Sequence, residues 1–577
     1  MTKTKKMTRT VKFFLAFVAC AVPLVILAQE PGSGLSPQAI LKPALDSWPT
    51  YSGDYTSDRY STLDKVNKLT VKDLSLAWVS HVEAGPGAAA TGGFVFARGG
   101  AAAAPTIIGG EGEIPPNASA NPRIVGAILQ VNGILYMSAP DNAWAMDARD
   151  GTVLWHYYWK TKGGTHIGNR GMAMDGDWLY FETPDDYLVS LDAKTGKERW
   201  HKVISDFTEQ YFSTMAPILI GNHLLVGTGD DLDAPGFLQS FDPETGELQW
   251  KHYDVPMEKG DPGADTWPNM DAARHGGAQP WGDGAYDPET NLYMYGTGNP
   301  TPAYTPQSRL GDNLFTCTLL AVNVDTGKMA WYYQTSPHDT HDWDSNQTPV
   351  LVDGTWDGKP RKMVLQATRN GYFFVLDRLT GQHLLTSKFG ESANWSKPLN
   401  AKGQPYPNPE KDSTVPGSLV SPSNGGITNW PPPAYNPKTG LFYVPEHDSY
   451  SMYYLTETDP RGAMGLGGKE EDGVGSTSNS IDAIDYHTGK IVWRHVFPES
   501  GAGGFGGGTG LLTTAGGLVF GSDEGGNFVA FDASTGKPVW HSHIGGVSNA
   551  AETYLLDGKQ NILVANGDSI YDFVLNQ

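Results

Sequence analysis

The sequence has little cysteine, little positive charge and little helix-type hydrophobic patterning. Its 577 residues include two cysteines, Cys20 and Cys317, and no Cys-x-x-Cys-His run, so no covalently attached c-type haem is predicted. Charged residues make up 18% and hydrophobic residues 39% of the chain. This is enough apolar material for a large core, and it excludes global disorder.

The first 28 residues have the features of a secretory signal peptide. The basic run MTKTKKMTRTVK precedes the apolar stretch FFLAFVACAVPLVILA, and cleavage is predicted after Ala28. The alternative is an uncleaved membrane anchor, but the apolar stretch is short for a span and is interrupted by Pro23. We expect a periplasmic or secreted protein. Only Cys317 then remains, which excludes an intrachain disulfide.

The charge balance is acidic. Removal of the five positive charges in residues 1–28 takes the formal net charge from −22 to −27. A chain with this charge has no electrostatic basis for binding nucleic acid, and it is suited to a basic protein partner.

What the chain has in quantity is an internal repeat. Segments such as SLDAKTGKERW recur, and they end at Trp155, Trp200, Trp250, Trp331, Trp493 and Trp540. The segment VLDRLTGQHLL, residues 375–385, keeps the turn but has lost the tryptophan. The segment DLSLAW, which ends at Trp78, has the form of a final strand whose preceding half is absent. Together these are eight units.

Each unit is typical of two strands joined by an Asp-x-x-Thr-Gly turn. The aspartate side chain can accept hydrogen bonds from turn amides, and glycine tolerates a positive φ. The tryptophan is expected to pack on the neighbouring unit, with an upper bound of about 4–6 kcal/mol from its burial. Radial repetition of such sheets predicts an all-β fold, an eight-bladed β-propeller of four-stranded antiparallel blades.

This propeller is predicted to be a single domain spanning residues 29–577. Residues 83–121 are rich in Gly, Ala and Pro and are predicted to be a flexible surface insertion. Residues 387–427 and 456–480 are predicted to be long loops, which on a rigid scaffold often form lids or site walls.

The repeat, the opening WPTYSGDYTSDRYSTLDKVNKLTVKDLSLAW and the run YDPETNLYMYGTGNP together resemble the pyrroloquinoline-quinone (PQQ) dependent alcohol dehydrogenases. The resemblance covers nearly all of residues 48–566. It implies a secreted eight-bladed propeller that holds a quinone and a metal ion near its central axis. The repeat alone also occurs in non-catalytic propellers, such as outer-membrane assembly scaffolds.

The resemblance implies a metal site. Asp231 in GTGDDLDAPGF, Asn299 in GTGNP and Asp342 in HDTHDWD match the ligand positions, and oxygen donors suit Ca²⁺ or a similar hard ion. Asp344 would face the same side as Asp342 in an extended segment. In the family, an aspartate at that place is associated with lanthanide ions, and an added carboxylate favours a trivalent ion. The alternative for each residue is a solvated turn side chain.

The resemblance also implies a quinone pocket. Trp281 matches the aromatic floor under the cofactor, and Arg369 matches the cation beside the reactive carbonyl. The remaining polar contacts to the quinone match Arg170, Thr183, Thr228, Gly229 and Asn429. A buried anion needs such paired cations and donors, although ordinary strand packing is the alternative for Trp281 and Arg369.

Several positions depart from the family pattern. Gly164 and Thr165 stand where the family usually carries two adjacent cysteines, and Val125 replaces a glutamate. A tryptophan expected before TTAGG is replaced by glycine or Phe505, and the C-terminal tryptophan-bearing segment is absent. His166 is a candidate for covering the face that the cysteine pair usually covers.

If the site functions as in the family, Asp342 is the general base that takes the hydroxyl proton of an alcohol or sugar. Arg369 and the metal stabilise charge on the quinone oxygen while hydride passes to the quinone. Electrons must then leave to a separate acceptor, expected to be a periplasmic c-type cytochrome. The alternatives are a non-catalytic propeller with a degenerate cofactor site, and a hydrolase or lyase that uses Asp342 and His341.

Overall fold

The computed structural model describes residues 1–2, 34–35, 39–41, 45–84, 122–164, 168–229, 233–455, 466–475, 478–497, 509–523 and 525–575. Nearly all of the predicted signal peptide and of the predicted insertion lies outside these ranges. Asp231, Thr165, His166 and Phe505 also lie outside them. Among the described residues, no helix is long and apolar enough to cross a membrane.

Eight antiparallel four-stranded sheets form the framework, and we number them as blades 1 to 8. The strands of blade 1 are Leu129–Val131, Ile134–Ala139, Asn142–Asp147 and Val153–Tyr158, and those of blade 2 are Ala173–Asp175, Trp178–Glu182, Tyr187–Asp192 and Glu198–Val203. The strands of blade 3 are Ile218–Ile220, His223–Thr228, Phe237–Phe241 and Leu248–Tyr253, and those of blade 4 are Ala285–Asp287, Leu292–Gly296, Thr318–Asn323 and Met329–Gln334.

The strands of blade 5 are Val350–Trp356, Lys359–Ala367, Tyr372–Asp377 and His383–Lys388, and those of blade 6 are Ala434–Asn436, Leu441–Asp448, Ser478–Asp485 and Lys490–Val496. The strands of blade 7 are Leu512–Thr514, Leu518–Ser522, Asn527–Asp532 and Pro538–His543, and those of blade 8 are Glu552–Leu556, Lys559–Asn566, Ser569–Leu575 and Leu74–His81. A short strand, Tyr60–Ser61, adds in parallel to blade 7. This arrangement confirms the predicted eight-bladed propeller.

Blade 8 is built from both ends of the chain. Leu74–His81 pairs antiparallel with Ser569–Leu575 and is the outer strand of this blade. The first half that DLSLAW lacks is therefore supplied by the C-terminal strands. Because the ring closes in this way, no blade is left with an unpaired face.

The Asp-x-x-Thr-Gly turns have the predicted hydrogen bonds. In blade 2, Asp192 Oδ1 accepts from the amides of Lys194 and Thr195 at 3.0 and 2.8 Å. Gly196 closes this turn with φ +66°. A residue with a Cβ atom is strained in that conformation, which explains the glycine.

The tryptophans join consecutive blades, as predicted. Trp155 Nε1 donates to the carbonyl of Ala193 at 2.9 Å, and its ring covers Gly196, where a Cβ atom would lie 2.6 Å from the ring. The same packing on a turn glycine of the next blade occurs for Trp78, Trp200, Trp250, Trp331 and Trp493, on Gly151, Gly246, Gly327, Gly381 and Gly536.

Blade 5 lacks its tryptophan, and Leu385 takes that place. A Cβ atom on Gly489 of blade 6 would lie 2.9 Å from Leu385 Cδ2. The same Cβ atom would lie 2.5 Å from Ser387 Cβ, so Leu385 and Ser387 together occupy this contact between blades.

The remaining elements lie in the connections. Two small sheets pair Ser396–Lys397 with Tyr406–Pro407, and Ser418–Val420 with Ser451–Tyr454 and Lys469–Asp472. One short α-helix, Met270–Arg274, begins after Asn269, whose side chain accepts from Ala272 N. The 3₁₀ turns are Val71–Asp73, Phe207–Glu209, Ala264–Thr266, Pro306–Ser308 and Pro409–Lys411.

Candidate active site

Because consecutive strands of a blade run in opposite directions, the loops that join them lie at two opposite ends of the propeller. The Asp-x-x-Thr-Gly turns join strands 3 and 4 and lie at one end. The opposite end carries the loops between strands 2 and 3 and the loops between blades. The loops between blades carry Arg170, Trp281, Asp342, Asp344 and Asn429. The strand 2–3 segments carry Thr183, Thr228, Gly229, Asn299 and Arg369. All predicted site residues in the described part of the chain therefore lie at one end of the propeller.

Asp344 contacts three of these residues, Trp281, Asn299 and Arg369. Its carboxylate accepts hydrogen bonds from Trp281 Nε1 at 2.7 Å and from the backbone N–H of Asn299 at 2.6 Å. Arg369 Nη2 lies 3.1 Å from the same carboxylate, whose side chain is 4% exposed. Asp344 is thus a buried and fully engaged acid, which excludes the reading of a solvated loop residue.

Asp342 reaches the same arginine through a turn. Arg369 Nη1 donates to the Asp342 carbonyl at 2.9 Å and lies 3.6 Å from its carboxylate. Asp342 has φ +68°, so the prediction of an extended segment is wrong at this position. The two carboxylates converge because the backbone turns at Asp342, and not through strand alternation. The Asp342 side chain is 17% exposed and is the more accessible of the two.

Asp339 stabilises this turn. Its Oδ2 accepts from the amides of Asp342 and Trp343 at 2.9 and 3.2 Å. Burial raises the pKa of Asp339 to about 6, and the neighbouring Arg309 opposes that rise. Asp339 is therefore a structural acid within the motif HDTHDWDS.

His341 is buried and has both ring nitrogens in hydrogen bonds. Its Nε2 donates to the Lys411 carbonyl at 2.8 Å, and Nδ1 accepts from Thr340 Oγ1 at 2.9 Å. Burial lowers its pKa to about 4, so the ring is neutral at neutral pH. A histidine with both nitrogens engaged in this way is a poor general base, which disfavours the hydrolase or lyase alternative.

The long loop after blade 5 forms a wall around this motif, as predicted for residues 387–427. The Lys411 carbonyl contacts His341, and Trp343 Nε1 donates to the Ser423 carbonyl at 3.2 Å. Trp343 also packs on Trp395, with 4.4 Å between ring centroids. The motif HDTHDWDS is therefore held between blades 4 and 5 and the loop that follows them.

Two arginines contact the ring of Trp281. The Arg170 and Arg369 guanidinium carbons are 4.7 and 5.3 Å from the centroid of its ring. Arg170 is held in place by Thr214, to whose Oγ1 and carbonyl it donates at 2.6 and 2.9 Å. A flat aromatic surface flanked by two cations fits a planar polyanion such as PQQ.

Gly229 and Asn299 approach each other through Gln279. A Cβ atom on Gly229 would lie 2.0 Å from Gln279 Cβ, so only glycine fits this position. Gln279 Nε2 in turn donates to Asn299 Oδ1 at 3.1 Å. The segment before Asn429 packs on Arg369, with the Ile427 amide donating to the Arg369 carbonyl at 2.8 Å, and Asn429 Nδ2 donates to the Gly425 carbonyl at 2.8 Å.

Thr183 and Thr228 form hydrogen bonds within their own surroundings. Thr183 Oγ1 donates to Asp185 at 2.7 Å, and Thr228 Oγ1 lies 2.8 Å from Ser213 Oγ. Threonine occupies the end of strand 2 in four consecutive blades, at positions 183, 228, 297 and 368. These threonines therefore have an architectural role, and the cofactor contacts of Thr183 and Thr228 stay predictions.

Three residues of this end were not identified from the sequence. Thr214 holds Arg170, Trp430 lies 5.4 Å from the same guanidinium, and Glu182 is buried beside it. Thr214 lies in the loop before blade 3, the same class of loop that carries Arg170 and Trp281. That position is a signal from which it could have been found.

The donor set at this end is made of oxygen atoms, which fits a hard cation. Among the described residues, no three His, Cys, Asp or Glu side chains form a group that could hold a metal ion. The predicted set includes an asparagine, and its fourth member, Asp231, lies outside the described residues. The assignment of Asn299, Asp342, Asp344 and Asp231 as ligands therefore stays a prediction.

Two departures from the family pattern have structural consequences. A Cβ atom on Gly164 would lie 2.6 Å from the Pro184 carbonyl oxygen, so the backbone leaves no room for a side chain there. Next to Val125, a Cβ atom on Gly126 would lie 2.2 Å from the Arg170 carbonyl. The segment that usually supplies a glutamate thus packs directly on the backbone of Arg170.

Comparisons with known proteins agree with this geometry. A family profile described as glucose/ethanol/alcohol dehydrogenase, beta-propeller domain, matches residues 48–413. A second profile, described as outer membrane protein assembly factor BamB, matches residues 477–574.

Relatives are similar over nearly the whole chain. The quinoprotein alcohol dehydrogenase PedH of Pseudomonas putida is 33% identical over 97% of this chain and 93% of its own length. The lanthanide-dependent methanol dehydrogenase of Methylorubrum extorquens is 30% identical over 89% of this chain and 86% of its own. A solved europium-containing methanol dehydrogenase superposes with a TM-score of 0.78, at 26% identity, over 93% of this chain and 99% of its own.

The fold, the residues gathered around Trp281 and Asp344, and the match over residues 48–413 lead to one conclusion. The chain belongs to the PQQ-dependent alcohol dehydrogenase family and is a quinoprotein oxidoreductase whose cofactors are PQQ and Ca²⁺ or a lanthanide ion.

Proposed function

We propose that this protein oxidises an alcohol or a sugar hydroxyl to an aldehyde or ketone in the periplasm and passes the electrons to a separate c-type cytochrome. One observation carries the proposal. Asp344 binds Trp281, Asn299 and Arg369 at once, and Arg369 also contacts Asp342. The residues needed for the reaction thus share one buried end of the propeller.

When bound, PQQ supplies the carbonyl that accepts the two electrons, and the metal supplies Lewis acidity. Asp342 takes the hydroxyl proton, because its carboxylate is the accessible one and stands on a rigid turn. Arg369 holds a fixed positive charge between the two aspartates. Trp281 and Arg170 provide the flat, cationic surface that orients the cofactor.

A lanthanide is the metal that the residues favour. Asp344 adds a second carboxylate to that of Asp342 within contact of one arginine, and both belong to a donor set made of oxygen atoms. Added negative charge raises the affinity for a trivalent ion more than that for a divalent one. The sequence of the lanthanide-dependent relative supports this choice by similarity.

Reconstitution tests the proposal. The purified protein is incubated with PQQ and either Ca²⁺ or La³⁺, and dye reduction is followed with a panel of alcohols and sugars. We expect turnover with alcohols, higher with La³⁺ than with Ca²⁺. If the protein binds no quinone and shows no turnover with either ion, the dehydrogenase proposal fails and the non-catalytic propeller is the better description.

The cytochrome and the location need their own tests. Reduction of a purified periplasmic c-type cytochrome by the reconstituted protein plus alcohol, without dye, is the expected result. Cell fractionation should place the mature chain, cleaved after Ala28, in the periplasm. Cytosolic recovery of a chain that keeps residues 1–28 would contradict the proposed location.

A further inference from the structure

Glu182 is a buried acid whose carboxyl group has no hydrogen-bond partner among the described residues. It ends the second strand of blade 2, and the residue is 1% exposed. Burial, together with the neighbouring Asp186 and Asp283, raises its pKa well above the usual range. Burial therefore favours the protonated, neutral form of this carboxyl group, which has an O–H to donate.

The surroundings of Glu182 connect it to the candidate cofactor pocket. Arg170 is the nearby cation that opposes the rise in its pKa, and Arg170 itself stacks on Trp281 at 4.7 Å. Asn169 fixes the backbone here, because its Nδ2 donates to the Glu182 carbonyl at 3.1 Å. Arg170 also has a buried Nε atom without a partner. A buried acid and a cation with unused hydrogen-bonding capacity thus interact electrostatically here, and Asn169, the chain neighbour of Arg170, binds the backbone of Glu182.

The segment containing Val125 reaches the same arginine from blade 1. The Ala127 amide donates to the Arg170 carbonyl at 3.0 Å, so the segment from blade 1 contacts the backbone of Arg170, whereas Glu182 in blade 2 interacts with its charge. The family's glutamate is missing at the first position, and a buried glutamate is present at the second.

We propose that Glu182 is a cofactor-binding residue, whose carboxyl group donates a hydrogen bond to an anionic group of the quinone beside Arg170 and replaces the glutamate missing at Val125. The inference rests on the proposed function and adds a residue to its site. Burying a polar group without a partner costs about 1–3 kcal/mol, so an acid with a purely structural role would be expected to have one.

The charge balance explains why the group must donate. Arg170 is a single cation that faces Glu182 and Asp283, and burial raises the pKa of Asp283 to about 7. An ionised carboxylate at position 182 would repel an anionic cofactor. A neutral acid offers it a donor without adding negative charge.

Two substitutions separate the donor from the volume of the side chain. Glu182→Gln keeps a donor of the same shape, and Glu182→Leu keeps the volume and removes the donor. PQQ binding is measured without alcohol, by quenching of tryptophan fluorescence in the presence of Ca²⁺ or La³⁺. We expect E182Q to bind within about threefold of wild type, and E182L to bind about tenfold or more weakly, as loss of one such bond implies.

Rescue and a matched control sharpen the test. Val125→Glu in the E182L background should restore PQQ affinity, because it returns an acid from the neighbouring blade. Glu446 is also buried, has a raised pKa and lies in the equivalent strand of blade 6, two residues before its end. Glu446→Gln should leave PQQ affinity unchanged. In wild type, PQQ affinity should fall as pH rises and the Glu182 carboxyl group ionises, and E182Q should not show this fall.

The outcomes are distinct. If wild type binds PQQ and E182L binds it equally well, the inference is overturned while the proposed function stands. If E182L does not fold, the test is the pH dependence of PQQ affinity in E182Q. The inference is overturned if this pH dependence is the same as in wild type. If wild type itself does not bind PQQ, the proposed function and the inference fail together.

Discussion

Replacing Asp344 by asparagine tests the centre of the site without changing its shape. Asp344 accepts hydrogen bonds from Trp281 Nε1 and from the backbone amide of Asn299 at 2.7 and 2.6 Å, and its carboxylate forms an ion pair with Arg369 Nη2 at 3.1 Å. Asparagine has one acceptor oxygen, so at least one buried donor loses its partner, at a cost of about 1–3 kcal/mol. Removing one partner of a buried ion pair costs about 3–5 kcal/mol, and the remaining contact of Arg369 with Asp342 offsets part of it. We expect a total loss of about 3 kcal/mol.

Thermal unfolding of the cofactor-free protein measures this loss, and Asp353→Asn is the matched control. Asp353 also contacts an arginine, Arg378, at 2.7 Å, but its side chain is 66% exposed. Exposed pairs contribute about 0–1 kcal/mol, so D353N should melt close to wild type. D344N should melt several degrees lower.

The same variant has a second readout in the loaded enzyme. Loss of one carboxylate should lower turnover with La³⁺ more than turnover with Ca²⁺, because the trivalent ion depends more on the added negative charge. If D344N melts with wild type and keeps the wild-type ratio of La³⁺ to Ca²⁺ activity, the assigned position of Asp344 in the site is wrong.

Two further predictions concern the framework. Gly196→Ala would place a Cβ atom 2.6 Å from the Trp155 ring at φ +66°, and we expect the free energy of unfolding, measured by chemical denaturation, to fall by about 2–4 kcal/mol. Gly358→Ala, with φ +74° and nothing within 4 Å, should lower it by only about 1 kcal/mol, and equal losses would contradict the packing argument. Burial raises the pKa of Glu552 to about 8 from its usual 4.5, against the effect of Arg59. The folded state therefore keeps a proton that the unfolded state releases, so this contribution is complete below pH 4.5 and is lost as pH rises through about 8. Glu552→Gln should reduce the decline in melting temperature over that range, and an unchanged pH profile would count against it.

The site is assembled from loops that belong to different blades. Arg170, Trp281 and Asp344 stand before the first strands of blades 2, 4 and 5, and Asn299 and Arg369 follow second strands in blades 4 and 5. Each of these three blades contributes one or two side chains, and the rigid sheet behind each loop fixes the position of the loop. This is why substitutions in the sheets are expected to affect stability before they affect chemistry.

The sequence by itself determined the framework. The spacing of aspartate, glycine and tryptophan specifies a turn and a contact with the next unit, and both are local or repeated interactions, as the Asp192 turn and the Trp155 contact show. The missing half of DLSLAW was noted in the sequence, but its completion by the C-terminal strands is known only from the structure. Eight repeats were therefore enough to predict the propeller.

The tertiary structure alone decided the details of the site. The positive φ of Asp342 depends on the Asp339 carboxylate and on the wall around Trp343, which no local pattern encodes. The place of Thr214 beside Arg170, and the isolation of the Glu182 carboxyl, arise from loops that are distant in sequence. Local patterns specify turns and strand faces, whereas the surroundings of a buried polar group are set by every blade that packs around it.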